Sequence, residues 1–157
     1  MIIKTIVTGA LGRMGRQVTA ALFREPDIQP VGGVDLKTET ITLDSGRDKH
    51  LFEVATDLSA MIRKTDPDVL VDFTHPKSVM GNVRTALQHG VRCVVGTTGL
   101  LQSDFDEIKD LCERRKIGAV IAPNFAIGAV LLMKFAEIAS RHFQGAEIIE
   151  MHHDKKV

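Results

Sequence analysis

Three glycines near the N-terminus are spaced like the residues of a phosphate-binding turn. Gly9, Gly12 and Gly15 form a G-x-x-G-x-x-G pattern, with Ala10 in the place of the first glycine of the usual G-x-G-x-x-G sequence. An apolar β-type segment precedes the pattern, and a helix is predicted after it from Gln17. Backbone N–H groups at such a turn, together with the positive end of the helix, bind anions. A diphosphate is the expected anion in a strand–turn–helix unit.

An acidic residue follows the next β-type segment at the distance typical of a dinucleotide-binding unit. Asp35 comes directly after residues 28–34 and lies 20 residues beyond Gly15. A carboxylate in this position accepts hydrogen bonds from the hydroxyl groups of an adenosine ribose. Two alternatives stay open on this pattern alone: a glycine-rich turn that binds no cofactor, and an Asp35 that only caps the next turn.

The last residues form a cluster of histidines and lysines that could carry out proton transfer. His152, His153, Lys155 and Lys156 lie within five positions. Histidine donates or accepts a proton near neutral pH, and a neighbouring lysine stabilises negative charge. The alternatives are a solvated chain end or residues added for expression. Zinc binding is poorly supported, because adjacent histidines on a strand point to opposite sides.

Strands and helices alternate along the chain, which predicts an α/β fold: a Rossmann-type, doubly wound parallel sheet with helices on both faces. Strands are predicted at residues 2–7, 28–34, 68–74, 91–95 and 117–122, and helices at 17–24, 58–64, 77–89, 103–116 and 127–143. Residues 36–56 form either a mobile loop or a loop with a short strand near 50–54. Ser103 and Asp106 predict a capping box for the fourth helix, and a β-type run begins at Ala146.

Glycine, hydroxyl-bearing or acidic residues follow the predicted strands. In a parallel sheet, ligands bind outside the carboxyl ends of the strands. These ends are residues 9–15, Asp35, and residues 73–76, 96–98 and 123–125. Together they predict the wall of a nucleotide-binding cleft.

Composition narrows the class of protein. The 157 residues carry 20 basic and 20 acidic side chains, so no basic face for nucleic acid is expected. Cys93 and Cys112 lie in apolar segments without metal-ligand spacing, which favours structural thiols in a reducing compartment. No signal peptide and no apolar run of membrane-spanning length is apparent. We therefore expect a soluble cytoplasmic protein without a metal site.

Five motifs in order resemble those of the dihydrodipicolinate reductase family: residues 9–15 (GALGRMG), 72–76 (DFTHP), 95–99 (VGTTG), 122–128 (APNFAIG) and 147–156 (EIIEMHHDKK). The resemblance implies a Rossmann domain over residues 1–124 and the beginning of an α+β substrate-binding and oligomerisation domain over 125–157. It also implies NADH- or NADPH-dependent reduction of 4-hydroxy-tetrahydrodipicolinate, a cyclic dicarboxylate of the diaminopimelate route to lysine, by a homotetramer.

The resemblance also implies roles for individual residues. His152 would be the proton donor or acceptor, Lys156 the second proton donor, and His153 a contact to a substrate carboxylate. The implied cofactor-binding residues are Gly9, Ala10, Leu11, Gly12, Arg13, Met14, Asp35, Gly96, Thr97, Thr98, Ala122, Pro123, Asn124 and Phe125.

Two departures from the family pattern leave alternatives open. The family continues with an Asp-Ala-Pro-Ser-Gly-Thr-type loop, whereas this sequence stops at Val157. An incomplete chain is therefore expected, and the alternatives are a dinucleotide-binding domain without catalysis or another Rossmann reductase. Leu36 and Lys37, not an arginine, follow Asp35, so NADH and NADPH both stay possible, with Arg13 and Lys37 available to a 2′-phosphate. We also expect self-association through the apolar residues of 125–151.

Overall fold

A computed structural model describes residues 1–46, 48–122, 124–145 and 147–149. The chain divides into two compact units, Met1–Pro123 and Asn124–Val157. The first unit contains a sheet flanked by helices. The described part of the second contains the helix α5 (Ile127–Ala139).

Seven strands of the described residues form one sheet in the order β3-β4-β2-β1-β5-β6-β7. The strands are β1 (Ile3–Thr8), β2 (Ile28–Val34), β3 (Glu39–Asp44), β4 (Lys49–Ala55), β5 (Val69–Asp72), β6 (Arg92–Val95) and β7 (Ala119–Ile121). The first unit's helices are α1 (Arg13–Arg24), α2 (Leu58–Thr65), α3 (Pro76–Gln88) and α4 (Gln102–Arg115). Every neighbouring pair of strands is parallel except β3 and β4. The predicted α/β, Rossmann-type fold is confirmed.

Alternating residues of the central strands build a core on each face of the sheet. Ile6 and Leu70 pack on the face covered by α2, α3 and α4. Val7 and Val71, their neighbours in sequence, pack on the face covered by α1. Side chains of a strand alternate between faces, so a strand buried on both sides reads as a continuous apolar run. This burial fixes the strands whose carboxyl ends form the site.

The first helix begins earlier than the sequence predicts. It starts at Arg13, with Gly12 at its N-cap in an extended conformation, and not at Gln17. Gly15 therefore lies inside the first turn of the helix. Glycine is unfavourable in the interior of a helix, and for this reason the local sequence pattern places the start of α1 too late. Here the tight contact between Gly15 and the preceding turn outweighs that preference.

The segment between Asp35 and α2 is a β-hairpin and not an irregular loop. The predicted short strand near residues 50–54 is part of β4, but β3 is missing from the prediction and pairs with β4 in antiparallel fashion. Gly46 turns the chain at a φ of +81°, and its N–H donates to Asp44 Oδ1 at 2.7 Å. Leu43 and Phe52 of the hairpin are buried in the core beneath α1. Tertiary burial of these two side chains makes the hairpin part of the sheet.

The predicted N-terminal cap is confirmed for α2 and is wrong for α4. Asp57 caps α2 by accepting a hydrogen bond from Ala60 N–H at 2.9 Å, as predicted. The predicted capping box of Ser103 and Asp106 is wrong, because α4 begins one residue earlier, at Gln102. There the Asp104 carboxylate accepts from the N–H of Leu101, the N-cap residue.

In the second unit the helix is shorter than predicted, and most of the predicted strand lies outside the described residues. Helix α5 ends at Ala139 and not near residue 143. The hydroxyl of Ser140 there donates to the carbonyl of Glu137 at 2.8 Å, an alternative to continuing the helix. Of the strand predicted from residue 146, only residues 147–149 of its start are described, and they belong to no strand. Among the described residues no helix is long and apolar enough to cross a bilayer.

Candidate functional site

A cavity of about 540 Å³ lies at the carboxyl ends of β1, β2, β4 and β5. This is the edge of a parallel sheet at which ligands bind. Its lining residues are Thr8, Gly9, Leu11, Gly12, Val34, Asp35, Leu36, Thr56, Phe73, Thr74, His75, Ser78 and Asn82. The volume is typical of a small-molecule site.

The glycine turn at one wall of the cavity requires the absence of side chains at two positions. Gly9 has a φ of +72°, and a Cβ atom there would overlap the carbonyl oxygen of Phe73. A Cβ atom at Gly15 would overlap the carbonyl oxygen of Gly9. The turn therefore lies directly against the start of α1 on one side and the end of β5 on the other.

Several N–H groups of the turn are already used within the protein. Gly9 and Ala10 both donate to the carbonyl of Val34, at 2.9 and 3.3 Å. Gly12 donates to the carbonyl of Gly9 at 3.1 Å. These bonds set the shape of the turn and leave other amides to meet a ligand.

The first turn of α1 provides those other amides. The first intrahelical bond runs from Arg16 N–H to the carbonyl of Gly12. The N–H groups of Arg13 and Met14 precede it, and helix geometry gives such groups no acceptor within the helix. Their side chains are exposed and do not line the cavity. What these two residues offer an anion is therefore their backbone, at the positive end of the helix.

Asp35 is held in place by two backbone amides. Its Oδ2 accepts from Leu11 N–H at 2.8 Å, and its Oδ1 accepts from Leu36 N–H at 2.7 Å. The carboxylate is half-buried and lines the cavity beside the glycine turn. Each oxygen keeps capacity for a further bond, so the group can accept hydrogen bonds from a vicinal diol.

A buried carboxylate lies beneath the opposite wall. Asp72, the last residue of β5, is 0% exposed. Its Oδ2 accepts from the hydroxyl of Thr8 at 2.7 Å and from the side-chain amide of Asn82 at 2.8 Å. Its Oδ1 accepts from the hydroxyls of Thr97 at 2.6 Å and Thr74 at 2.8 Å, and from Thr74 N–H at 3.1 Å. Asp72 therefore ties together the ends of β1, β5 and β6 and the helix α3.

None of the described lysines or arginines forms an ion pair with Asp72. Hydrogen bonds alone compensate for its burial, as required of a carboxylate removed from water. In the sequence, Asp72 stands out only as part of the motif at residues 72–76. Its role as an organising group depends on contacts to residues up to 64 positions away, which no local pattern reveals.

Two polar residues of α3 line the cavity and were not singled out from the sequence. Ser78 and Asn82 lie on the same side of the helix as His75, which caps it by accepting from Lys77 N–H through Nδ1 at 3.2 Å. The i, i+3, i+7 spacing of the three was a usable signal, since it marks one polar face next to a strand end. Thr56, which follows β4, is absent from the predicted site because the sequence leaves residues 36–56 open between a mobile loop and a loop with a short strand.

Gly96, Thr97 and Thr98, which are expected near a nicotinamide, do not line this cavity. Thr97 is 6% exposed, and its hydroxyl is occupied by Asp72 and by Thr74 N–H. A Cβ atom at Gly96 would overlap the ring of Phe73, whereas Thr98 is exposed. These residues follow β6, the strand next to β5, and so belong to the same edge of the sheet.

The remaining predicted residues are distributed as follows. Ala10 is fully buried, and Ala122 is half-buried with its N–H on the carbonyl of Val95. Asn124 and Phe125 belong to the second unit. Outside the described residues lie Pro123, His152, His153 and Lys156. In the described ranges, no group of three or more histidine, cysteine, aspartate or glutamate residues could hold a metal ion.

The chain matches the family model described as dihydrodipicolinate reductase, N-terminus, over residues 3–125. It is 45% identical to a 4-hydroxy-tetrahydrodipicolinate reductase of Moorella thermoacetica over an alignment of 157 positions that covers 99% of this chain and 59% of that relative. A protein of the same name from Bacillus velezensis is 43% identical and is matched over 58% of its length.

A solved structure gives the same result at the level of the fold. It is a dipicolinate-bound dihydrodipicolinate reductase from Paenisporosarcina sp. TG-14, with a TM-score of 0.83 and 36% identity. The match covers 100% of this chain and 60% of that one. The chain thus spans about three-fifths of the length of the relatives that it matches.

Proposed function

The chain belongs to the dihydrodipicolinate reductase family, and from this membership we propose that it is the nucleotide-binding part of a 4-hydroxy-tetrahydrodipicolinate reductase. The enzyme would use NADH or NADPH to reduce its cyclic dicarboxylate in the diaminopimelate route to lysine. The observation that carries the proposal is the cavity in which the glycine turn lies beside the carboxylate of Asp35, which Leu11 N–H of that turn holds in place.

The turn suits a diphosphate for a geometric reason. Gly9 and Gly15 let the backbone of the turn pack closely, and the helix that follows presents the amides of Arg13 and Met14. In the proposed complex these amides donate to the diphosphate. Asp35, held by Leu11 N–H, accepts from the adenosine ribose.

The other end of the dinucleotide would extend along the same edge of the sheet, past β5 towards the residues after β6. When bound, the nicotinamide supplies the hydride. Gly96, Thr97 and Thr98 are proposed to border this part of the site, with residues 122–125 completing it. Thr97 would act as a fixed part of the wall, because its hydroxyl is already bonded to Asp72.

Protonation of the reduced substrate is assigned to the C-terminal cluster. Hydride addition to an α,β-unsaturated imine leaves negative charge on the substrate ring, and a nearby acid must supply a proton. We assign this to His152 with Lys156 as the second donor, while His153 binds a carboxylate of the substrate. General acid catalysis of this kind contributes about 10²–10⁴-fold in rate.

Assembly and location complete the proposal. Helix α5 has no buried residue, and Ile127, Phe135 and Ile138 are all more than half exposed. Such an apolar surface fits association, and we propose a homotetramer in the cytoplasm. Light scattering is expected to show a particle heavier than one chain, and a monomer at high concentration would contradict the oligomer.

The direct test follows nicotinamide absorbance. The full chain is mixed with NADH or NADPH while dihydrodipicolinate synthase produces the substrate in the same cuvette. Absorbance should fall faster than in the enzyme-free control, and an excess of dipicolinate should slow it. A titration of nicotinamide fluorescence on the same sample measures binding separately. Binding without turnover would leave only a dinucleotide-binding role, and absence of both would refute the proposal.

A further inference from the structure

Leu11, in the glycine turn, is held at both of its backbone polar groups. Its N–H donates to Asp35 Oδ2 at 2.8 Å, and its carbonyl accepts from Arg16 Nε at 3.0 Å. The carboxylate proposed to bind the ribose and the guanidinium of Arg16 are therefore separated by the backbone of a single residue. A cation thus lies beside the ribose end of the cavity.

A glutamate engages that cation and a second one. Glu39 Oε1 lies 3.5 Å from a terminal nitrogen of Arg16, and Glu39 Oε2 lies 2.8 Å from Lys37 Nζ. Lys37 follows Asp35 by two positions, in the turn between β2 and β3. The hydrogen bond from Lys37, together with the charge of Arg16, lowers the pKa of Glu39. Glu39 is therefore a carboxylate at neutral pH that neutralises both neighbouring cations.

This arrangement bears on the choice between two cofactors. NADH and NADPH differ only at the 2′ position of the adenosine ribose, where NADPH carries a phosphate. Dinucleotide sites that accept this phosphate place an arginine near it, whereas an acidic residue there favours the free hydroxyl. In the described part of the chain, no lysine or arginine side chain lines the cavity, and Asp35 does.

We propose that Glu39 is a specificity-determining residue that weakens the binding of NADPH relative to NADH by engaging Arg16 and Lys37. The inference rests on the proposed nucleotide-binding function and names a residue that does not itself line the cavity. Asp35 repels a 2′-phosphate directly. Glu39 acts indirectly, because it forms ion pairs with Arg16 and Lys37, the two cations that could offset the repulsion between Asp35 and the 2′-phosphate.

The expected size of the effect follows from exposure. The side chains of Lys37 and Arg16 are 70% and 48% exposed, and that of Glu39 is 32% exposed. Ion pairs at such positions are partly screened by water, so removing the competing carboxylate should change the ratio of the two dissociation constants by about two- to fivefold. The change should shrink as salt is raised, because screening acts on exposed charges.

The test compares the two cofactors on the full chain. Dissociation constants for NADH and NADPH are measured by nicotinamide fluorescence for the wild type, Glu39→Gln and Lys37→Gln. Glu39→Gln should lower the NADPH-to-NADH ratio of dissociation constants, and Lys37→Gln should raise it. A role limited to tethering β3 against α1 would change both constants together and leave the ratio unmoved.

Glu107→Gln is the matched control, because Glu107 forms an exposed ion pair with Arg84 between α3 and α4. It should leave the ratio unchanged. A Glu39→Gln ratio equal to that of the wild type, or higher, would overturn the inference while leaving the proposed function intact. If the wild type binds neither cofactor, the proposed function fails first and the inference falls with it.

Discussion

The side-chain amide of Asn82 donates a 2.8 Å hydrogen bond to Oδ2 of Asp72, linking a residue of the cavity wall to a fully buried carboxylate. The same oxygen accepts from the hydroxyl of Thr8 at the end of β1. The position of Asn82 in the cavity is thus set by the ends of two strands and not by α3 alone. A substitution of Asp72 should therefore alter the position of Asn82 in the cavity wall.

Asp72→Asn should destabilise the protein strongly. One of its side-chain oxygens becomes an NH2 group. In one orientation this group lies opposite the side-chain NH2 of Asn82, and in the other it lies opposite the N–H of Thr74, so in either case two hydrogen-bond donors face each other. A buried hydrogen-bond donor left without a partner costs about 1–3 kcal/mol, and bonds to a charged acceptor are lost as well. Chemical denaturation should show a free energy of unfolding lower by about 2 kcal/mol or more.

The double variant Asp72→Asn with Asn82→Asp is the control for this prediction. It restores one donor and one acceptor between the two positions, so part of the lost stability should return. Equal stability of wild type and Asp72→Asn would show that the hydrogen-bond network does not hold the strand ends together.

Gly15→Ala should damage both the fold and nucleotide binding. Its Cβ atom would overlap the carbonyl oxygen of Gly9, so the turn must move. Overpacking of this kind typically costs about 1–3 kcal/mol. Thermal unfolding and nicotinamide fluorescence measure the two effects.

Gly81→Ala provides the opposite case. Gly81 is exposed in α3, and a Cβ atom there would meet no atom within 4 Å. Replacing a helical glycine by alanine stabilises by about 0.5–1 kcal/mol, so this variant should melt higher than the wild type. If both alanine variants behaved alike, close packing at Gly15 would not be the cause.

Asp35→Asn should weaken NADH binding while leaving the fold largely unchanged. The remaining carbonyl oxygen can still accept from Leu11 N–H, but the charged acceptor proposed for the ribose is gone. Hydrogen bonds to charged groups contribute about 1.5–3 kcal/mol, so the dissociation constant should rise roughly 10- to 100-fold. Asp110→Asn, on the exposed face of α4, should have no effect on binding. An unchanged NADH affinity in Asp35→Asn would show that this carboxylate does not bind the ribose.

Burial of the Cys93 thiol should make the protein less stable in alkaline solution. Cys93 is 1% exposed, and this burial raises the pKa of its thiol from 9.0 to about 12. Between these values the thiolate forms only in the unfolded chain, so the unfolded state is favoured as pH rises above 9. The free energy of unfolding should fall from this group alone by about 1.4 kcal/mol between roughly pH 8 and 10.

Cys93→Ala isolates that contribution. Shortening this buried side chain changes the free energy of unfolding at every pH. The quantity to compare is therefore the decrease in the free energy of unfolding between the two pH values, and not its absolute value. The fall should be smaller in the variant by about the same 1.4 kcal/mol. Identical falls would mean that the Cys93 thiol does not stay protonated in the folded state.

Local signals were sufficient for much of the fold. The bounds of β2 are those predicted, because apolar β-type residues are followed directly by an acidic turn. Asp57 marks the start of α2 because its side chain bonds an amide only three positions ahead. The glycine spacing predicts a tight strand–turn–helix junction, since the need for small residues there is also local.

The site depends more on distant contacts. The hydrogen bond from Thr8 to Asp72 joins residues 64 positions apart, and that from Thr97 joins residues 25 apart. Both form because β1, β5 and β6 lie side by side in parallel register. The pairing of Glu39 with Arg16 likewise needs β3, which the local pattern of residues 36–56 does not predict.

The sequence by itself determined the α/β alternation, the glycine turn and the acidic residue after β2, because each follows from the preferences of neighbouring residues. Tertiary structure alone decided which polar groups are buried together beneath the cavity and which carboxylate engages Arg16 and Lys37. The physical reason is that hydrogen bonds and ion pairs between separate elements depend on strand order and register. These are set by burying both faces of the sheet and not by any short stretch of the chain.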